Sequence, residues 1–219
     1  MKNSRRDPDE NMHDNHKAGL SMRSHPLFTI GHSSHPIGEF IALLQRHDIE
    51  ILADVRSVPM SRRHPQYNKH ALEAELRRHH IRYLFMGREL GARRDEPEAW
   101  EDNAVSYERT ARLPAFREGL DWIRNNAGDH RVALMCAEKE PLHCHRTLLI
   151  CRHLRADLPG GIRHILAGGA LESHEDLEQR LLAGAGMDAA QEYLFNGEGE
   201  TALERAYRQR GRGMGWRRS

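Results

Sequence analysis

The stretch "LMCAEKEPLHCHR", residues 134 to 146, sets Cys136, Glu138, Cys144, His145 and Arg146 within thirteen positions. Thiolates act as nucleophiles and metal ligands, carboxylates and imidazoles move protons, and guanidinium groups hold anions. Two chemistries compete for this segment. In one, Cys136 or Cys144 is a nucleophile, Glu138 or His145 an acid or base, and Arg146 part of an anion clamp. In the other, Cys136, Cys144 and either His143 or His145 supply three of four zinc positions. Cys144 lies eight positions after Cys136, unlike the short spacing of zinc knuckles, and no second cysteine pair follows. No metal ligand is therefore assigned from sequence; zinc is the minority reading and no other cofactor is expected. A phosphatase-like or rhodanese-like cradle would need arginine six residues after Cys136, and Leu142 stands there. Cys151 falls on an apolar helical stripe with Leu154 and Leu158 and reads as an inert core thiol.

A second concentration of chemistry is "DVRSVPMSRRHPQYNKH". Asp54 and Arg56 stand at its start, where they serve a site or form a structural ion pair with equal ease. Between Val55 and Arg94 there are ten basic residues against three acidic ones. On a chain of net charge +1 this local excess of seven, interleaved with Ser61, Tyr67 and Asn68, suits phosphate groups. The alternative is pairing with the acidic stretch at Asp95, Glu96, Glu98, Glu101 and Asp102. His32 and Ser33, after the first apolar run, complete the candidate set. Most of the sixteen histidines sit beside arginine on polar stretches and read as solvated surface.

These residues need elements to position them. "LFTIGHS", "IEILADVRS", "IRYLFMG", "RVALMCAE" and "IRHILAGG" are short apolar runs, and amphipathic stretches alternate with them. Strands that are apolar throughout and alternate with helices are the mark of a parallel sheet covered on both faces. The expected fold is α/β, a three-layer sandwich with a mostly parallel sheet of about five strands. Ligands bind beyond the carboxyl ends of such strands, and the polar residues His32, Ser33, Ser34, Asp54, Arg56, Arg88, Glu89, Cys136 and Glu138 all follow strands.

At 219 residues and 38% hydrophobic, the chain can bury one core. The expected organisation is a disordered arm over residues 1–25, a single domain over 26–185, and a loose extension over 186–219 ending in the basic "RQRGRGMGWRRS". Three cysteines, an odd number, fit a reducing compartment. With no apolar leader and no spanning segment, the expected location is the cytoplasm, away from membranes. The sequence does not address oligomeric state.

Taken in order, "TIGHS", "DVRSVPMSRRHPQYN", "IRYLFMGRELGARR", "LMCAEKEPLHCHR" and "IRHI" resemble the signature blocks of the domain of unknown function 488 family. The likeness runs over about residues 27 to 166. The family's Cys-x-Glu, Cys-His-Arg, Asp-Val-Arg-x-x-Pro-x-Ser and Leu-Gly match Cys136 and Glu138; Cys144, His145 and Arg146; Asp54 to Ser61; and Leu90 and Gly91. Where the family often has a second glycine, this chain has Ala92. The resemblance implies an α/β fold and a shared polar site, but no reaction. The residues themselves point to a hydrolase or transferase acting on a phosphate-bearing small molecule, nucleotide or nucleic acid. Its catalytic candidates are Cys136, Glu138, Cys144, His145 and Asp54, and its binding candidates His32, Ser33, Arg56, Ser61, Tyr67 and Arg146. The rival readings are a non-catalytic module binding nucleic acid or an anion, and a Cys/His metal-dependent hydrolase.

Overall fold

The run LFTIG is buried at every position and forms β1 (Leu27–Gly31), as expected of a central strand covered on both faces. The computed structural model describes residues 24–187 and 200–217. After β1 come α1 (Ile37–Arg46), β2 (Ile51–Asp54), α2 (Lys69–Arg78), β3 (Arg82–Phe85) and the short α3 (Gly87–Leu90). Two-residue strands β4 (Trp100–Glu101) and β5 (Ala104–Val105) pair with each other. They are followed by α4 (Tyr107–Thr110), α5 (Pro114–Asn126) and β6 (Val132–Cys136). A π-helical stretch, Arg146–Cys151, runs into α6 (Arg152–Leu154). The described chain ends with β7 (Ile162–Ile165), β8 (Leu171–Ser173), α7 (His174–Gly184) and α8 (Ala202–Arg212).

The six-stranded sheet has the order β3-β2-β6-β1-β7-β8. All pairs are parallel except β7 with β8. The expected α/β sandwich is therefore present, with β8 as a short antiparallel edge that carries too little periodicity to read. From β1 the chain moves to β2 and then β3 in one direction; from β3 it returns to β6 and moves on to β7 in the other. Right-handed crossovers that reverse direction must change face. Accordingly α1 and α2 pack with Phe28, Ile30, Leu52, Ala133 and Met135 on one face. The opposite face carries α5, the π-helical stretch, α7 and α8 against Ile51, Ala53, Val132 and Leu134. The direction changes between the neighbours β1 and β6, which places the crevice of such a sheet there.

The loose basic extension expected after residue 186 is, among the described residues, partly a docked helix. Tyr207 of α8 is fully buried and donates its hydroxyl to Glu178 at 2.8 Å. Arg152 and Arg155 hold Glu204 at 2.6 and 2.7 Å. Beyond α8, Trp216 meets Trp100 edge-on with ring centres 5.5 Å apart, and its carbonyl accepts from Val105 N. Sparse apolar residues among arginines conceal this packing, because arginine stems and ion pairs replace an apolar stripe. The arm expected over residues 1–25 lies, apart from its last two residues, outside the described ones, as do residues 188–199 and 218–219. Among the described residues no helix is long and apolar enough to cross a membrane.

Candidate functional site

Parallel pairing brings Gly31 level with Cys136, and the ladder continues beyond both strands: His32 N donates to Cys136 O and Ser33 N to Ala137 O, each at 2.9 Å. His32, Ser33, Cys136 and Glu138 thus meet at the switch point. Ser33 has φ of 47°, in the left-handed region a serine seldom occupies, and such local strain gathers at sites. A pocket of about 730 Å³ opens here, within the range of small-molecule sites. Its walls include His32, Ser33, Ser34, Arg56, Cys136, Glu138 and His145, with Ser57, Ser61, Arg63, His64 and Arg93 toward the rim.

Alternation along each strand divides the polar chemistry between two faces. Asp54 follows Leu52 onto the face covered by α1 and α2. There it is fully buried and accepts from Arg56 Nε at 2.8 Å, Arg56 Nη2 at 2.6 Å and the Tyr83 hydroxyl at 2.7 Å. Arg56 also donates to Tyr67 O at 2.8 Å. The ring of Tyr67 stacks on His32 at 4.1 Å and its hydroxyl donates to His35 O. Burial pushes His32 down to about 4, with the adjacent Arg56 charge adding to the effect, so the ring is neutral near pH 7. Asp54 and Tyr67 therefore stand behind the wall and fix Arg56 and His32, which reach the pocket.

Cys136 points to the opposite face, toward the segment that follows it. A 3-10 turn at Pro141–His143 folds that segment back, so the seven-residue gap closes. The Sγ atoms of Cys136 and Cys144 lie 2.8 and 3.0 Å from Oε2 of Glu138, and 3.6 and 3.9 Å from Nδ1 of His145. Nε2 of His145 lies 3.0 Å from Val55 O. The four side chains offer ligand atoms that all lie within 4.8 Å of one another. They form the group that could hold a metal, and it arises where the sequence spacing argues against one.

Electrostatically the two thiols diverge. Burial pushes Cys136 up. Burial also acts to raise Cys144, but the hydrogen bond from Cys136 and the positive charge of Arg146 override it and hold Cys144 low. Burial, then the Cys144 charge, raises Glu138, so the cluster stores acid–base capacity. Burial, the largest cause, drives Cys151 up as an inert core thiol.

Arg146 does not face the pocket. It is fully buried and donates to Glu138 O at 2.7 Å and Lys139 O at 3.4 Å, bracing the loop between the two cysteines. This brace needs Gly31, where a Cβ would stand 1.9 Å from Glu138 O. Cys144 is likewise behind the wall, whereas Ser61 lines the pocket and caps His64 N at 3.0 Å. Arg88 and Glu89 do not line it; their carbonyls accept from Arg94. Residues not singled out in sequence are Ser57, Arg93, His64 and Tyr83. The first three come from loops with no periodic signal, and Tyr83 sits on an edge strand whose alternation, read as "RYLF", places it beside Asp54. Among the described residues, Arg62 and Arg63 form no ion pair with the acidic stretch, where Arg94 pairs with Glu96 and Arg109 with Glu101.

The family model described as "Domain of unknown function DUF488" matches residues 36–152. The chain belongs to this family. The matched span runs from α1 to the start of α6 and contains every pocket residue named above except His32, Ser33 and Ser34. Among curated proteins nothing matches the chain, and among solved structures nothing matches it either.

Proposed function

We propose that this protein is an enzyme, a hydrolase or transferase, acting on a phosphate-bearing substrate held at the β1/β6 crevice. One observation carries the reading. A thiol, carboxylate and imidazole cluster and the cations Arg63 and Arg93, both exposed and without an acidic partner among the described residues, face the same open pocket. Anion capture falls to those two arginines, with the hydroxyls of Ser33, Ser57 and Ser61 as neutral donors. Arg56 contributes charge from the wall while its fork stays on Asp54. Glu138 and His145 are the acid–base groups. Cys136, the cysteine that lines the pocket, is the thiol in reach of substrate. The partners this reading implies are a phosphorylated small molecule, a nucleotide or a nucleic acid, with no membrane required.

The test is titration with inorganic phosphate, followed by a panel of phosphomonoesters, phosphodiesters and nucleotides assayed for turnover. Arg63→Ala and Arg93→Ala are expected to weaken phosphate binding, and Glu138→Gln to abolish turnover while leaving it intact. A wild-type chain that binds no phosphate, or one whose binding ignores both arginines, defeats the proposal. Binding of duplex nucleic acid without turnover of any substrate would replace the enzyme with a binding module.

A further inference from the structure

The geometry points to a zinc site formed by Cys136, Cys144 and His145, with Glu138 closing the fourth position from the pocket side. Tetrahedral zinc with sulfur at about 2.3 Å and nitrogen at about 2.05 Å sets a sulfur–nitrogen edge of about 3.6 Å. The two thiols stand 3.6 and 3.9 Å from Nδ1 of His145, so both sulfur–nitrogen edges are near metal-site spacing, and the sulfurs lie within 4.8 Å of each other. Glu138 is drawn in to 2.8 and 3.0 Å from the sulfurs, a hydrogen-bonding distance. A bound ion requires this carboxylate to withdraw by less than about 1 Å on the same geometry. It is free to do so, being the exposed member of the four.

The imidazole supplies an independent observation. A carbonyl oxygen only accepts, so Val55 O, 3.0 Å from Nε2, fixes the proton on Nε2. Loss of any proton on Nδ1, which metal binding requires, leaves its lone pair aimed at both sulfurs, the tautomer a metal needs, with the backbone carbonyl as its orienting partner. Charge agrees. Metal binding would displace the thiol and carboxyl protons and leave three negative charges in one small volume, and the fully buried Arg146 beside them supplies one positive charge. A dication completes neutrality, which buried charge demands. Two thiolates and an imidazole select zinc over magnesium or calcium.

With three buried ligands and a displaceable fourth facing the pocket, the site has the form of a catalytic rather than a sealed structural centre. The assignment deepens the reading of the pocket and rests on it only for what the ion would do to a bound anion; in the zinc-loaded chain His145 would be a ligand instead of an acid–base group, and that role would fall to Glu138 when it is displaced.

The experiment measures metal directly. The full chain, purified under reducing conditions without chelator, is analysed for metal content, then stripped and titrated with zinc alone and cobalt(II) alone. One zinc per chain is expected, and cobalt should give thiolate-to-metal charge transfer with the intense absorption of tetrahedral coordination. Cys144→Ser and His145→Ala should lower zinc affinity by more than about 100-fold, exceeding the loss typical of an orienting partner. Cys151→Ala should leave it unchanged. Three results overturn the site: a natively folded wild-type chain that takes up neither ion, cobalt bound without thiolate charge transfer, or zinc binding that survives the Cys144 and His145 substitutions. Isolation with a Cys136–Cys144 disulfide and no metal would overturn it too. Phosphate titration of Arg93→Ala keeps the two readings separate, since that variant should lose phosphate and retain zinc.

Discussion

Removing the carboxylate of Asp54 should destabilise the fold far more than removing both members of its pair. Asp54 is fully buried and Arg56 only 6% exposed, and the carboxylate accepts from two guanidinium nitrogens, the Arg56 amide and the Tyr83 hydroxyl. Asp54→Ala leaves a desolvated guanidinium with Tyr67 O as its main remaining acceptor, and deleting one partner of a buried pair costs about 3–5 kcal/mol. For a chain of this size, about 2–4 °C per kcal/mol gives a fall in Tm of about 6–20 °C. Asp54→Ala/Arg56→Ala removes the stranded charge and should be milder than Asp54→Ala alone. Arg56→Lys should behave like a break, because an ammonium cannot span both carboxylate oxygens. The assay is thermal and urea unfolding followed by circular dichroism of the wild type, Asp54→Ala, Arg56→Ala and the double variant, closed as a double-mutant cycle, with Arg56→Lys measured beside them. Loss below about 1 kcal/mol for Asp54→Ala, or a double variant that costs the sum of its singles, would refute the view that Asp54 holds Arg56.

Three further outcomes are expected. In the metal-free, reduced chain a small thiol reagent should modify Cys136, which lines the pocket, and spare Cys151; peptide mapping that finds Cys151 labelled first would contradict the packing. Gly31→Ala should cost at least about 1–3 kcal/mol as overpacking and weaken phosphate binding, since its Cβ displaces the Glu138 carbonyl; a stable variant with unchanged binding would show the brace to be dispensable. Burial acts to raise Glu204 and Glu178, but Arg155 and Arg152 on the first, and His174 and Tyr207 on the second, override it and hold both low. Their contribution is thus present above the ordinary value of 4.5 and lost as pH falls through the lower folded values, so α8 should undock on acidification below pH 4.5, seen as a change in Trp216 and Trp100 fluorescence. Acid that leaves the tryptophan signal unaltered until global unfolding would argue against this.

Apolar runs such as LFTIG and VALMC announce buried parallel strands, and the polar residues that end them announce the edge where a site forms. What sequence cannot supply is the side of the sheet. Asp54 and Cys136 each end a strand, yet alternation sends one toward Tyr83 and the other toward Cys144, so the residues expected in one cavity divide into two clusters that share a wall. Nor does spacing reveal that Pro141–His143 turns tightly enough to return Cys144 to Cys136. Arg146 reads as an anion ligand because arginine beside cysteine and histidine suggests one; its role as a brace depends on the gap left by Gly31. The helix over Ala202–Arg212 is concealed for a different reason: ion pairs to Arg152 and Arg155 hold it, and these partners lie far away in sequence.

The guanidinium of Arg93 at the pocket rim lies 5.7 Å from the Trp216 ring, and Trp216 in turn is anchored on Trp100 and Val105. This contact gives the protein a schedule during its synthesis. All five parallel strands can emerge and pair while the ribosome is still working, but the rim acquires its last support only once the segment through Trp216 has cleared the exit tunnel. A nascent chain can therefore display the crevice before it can hold one side of it firmly, so the order in which segments emerge sets when the rim is complete.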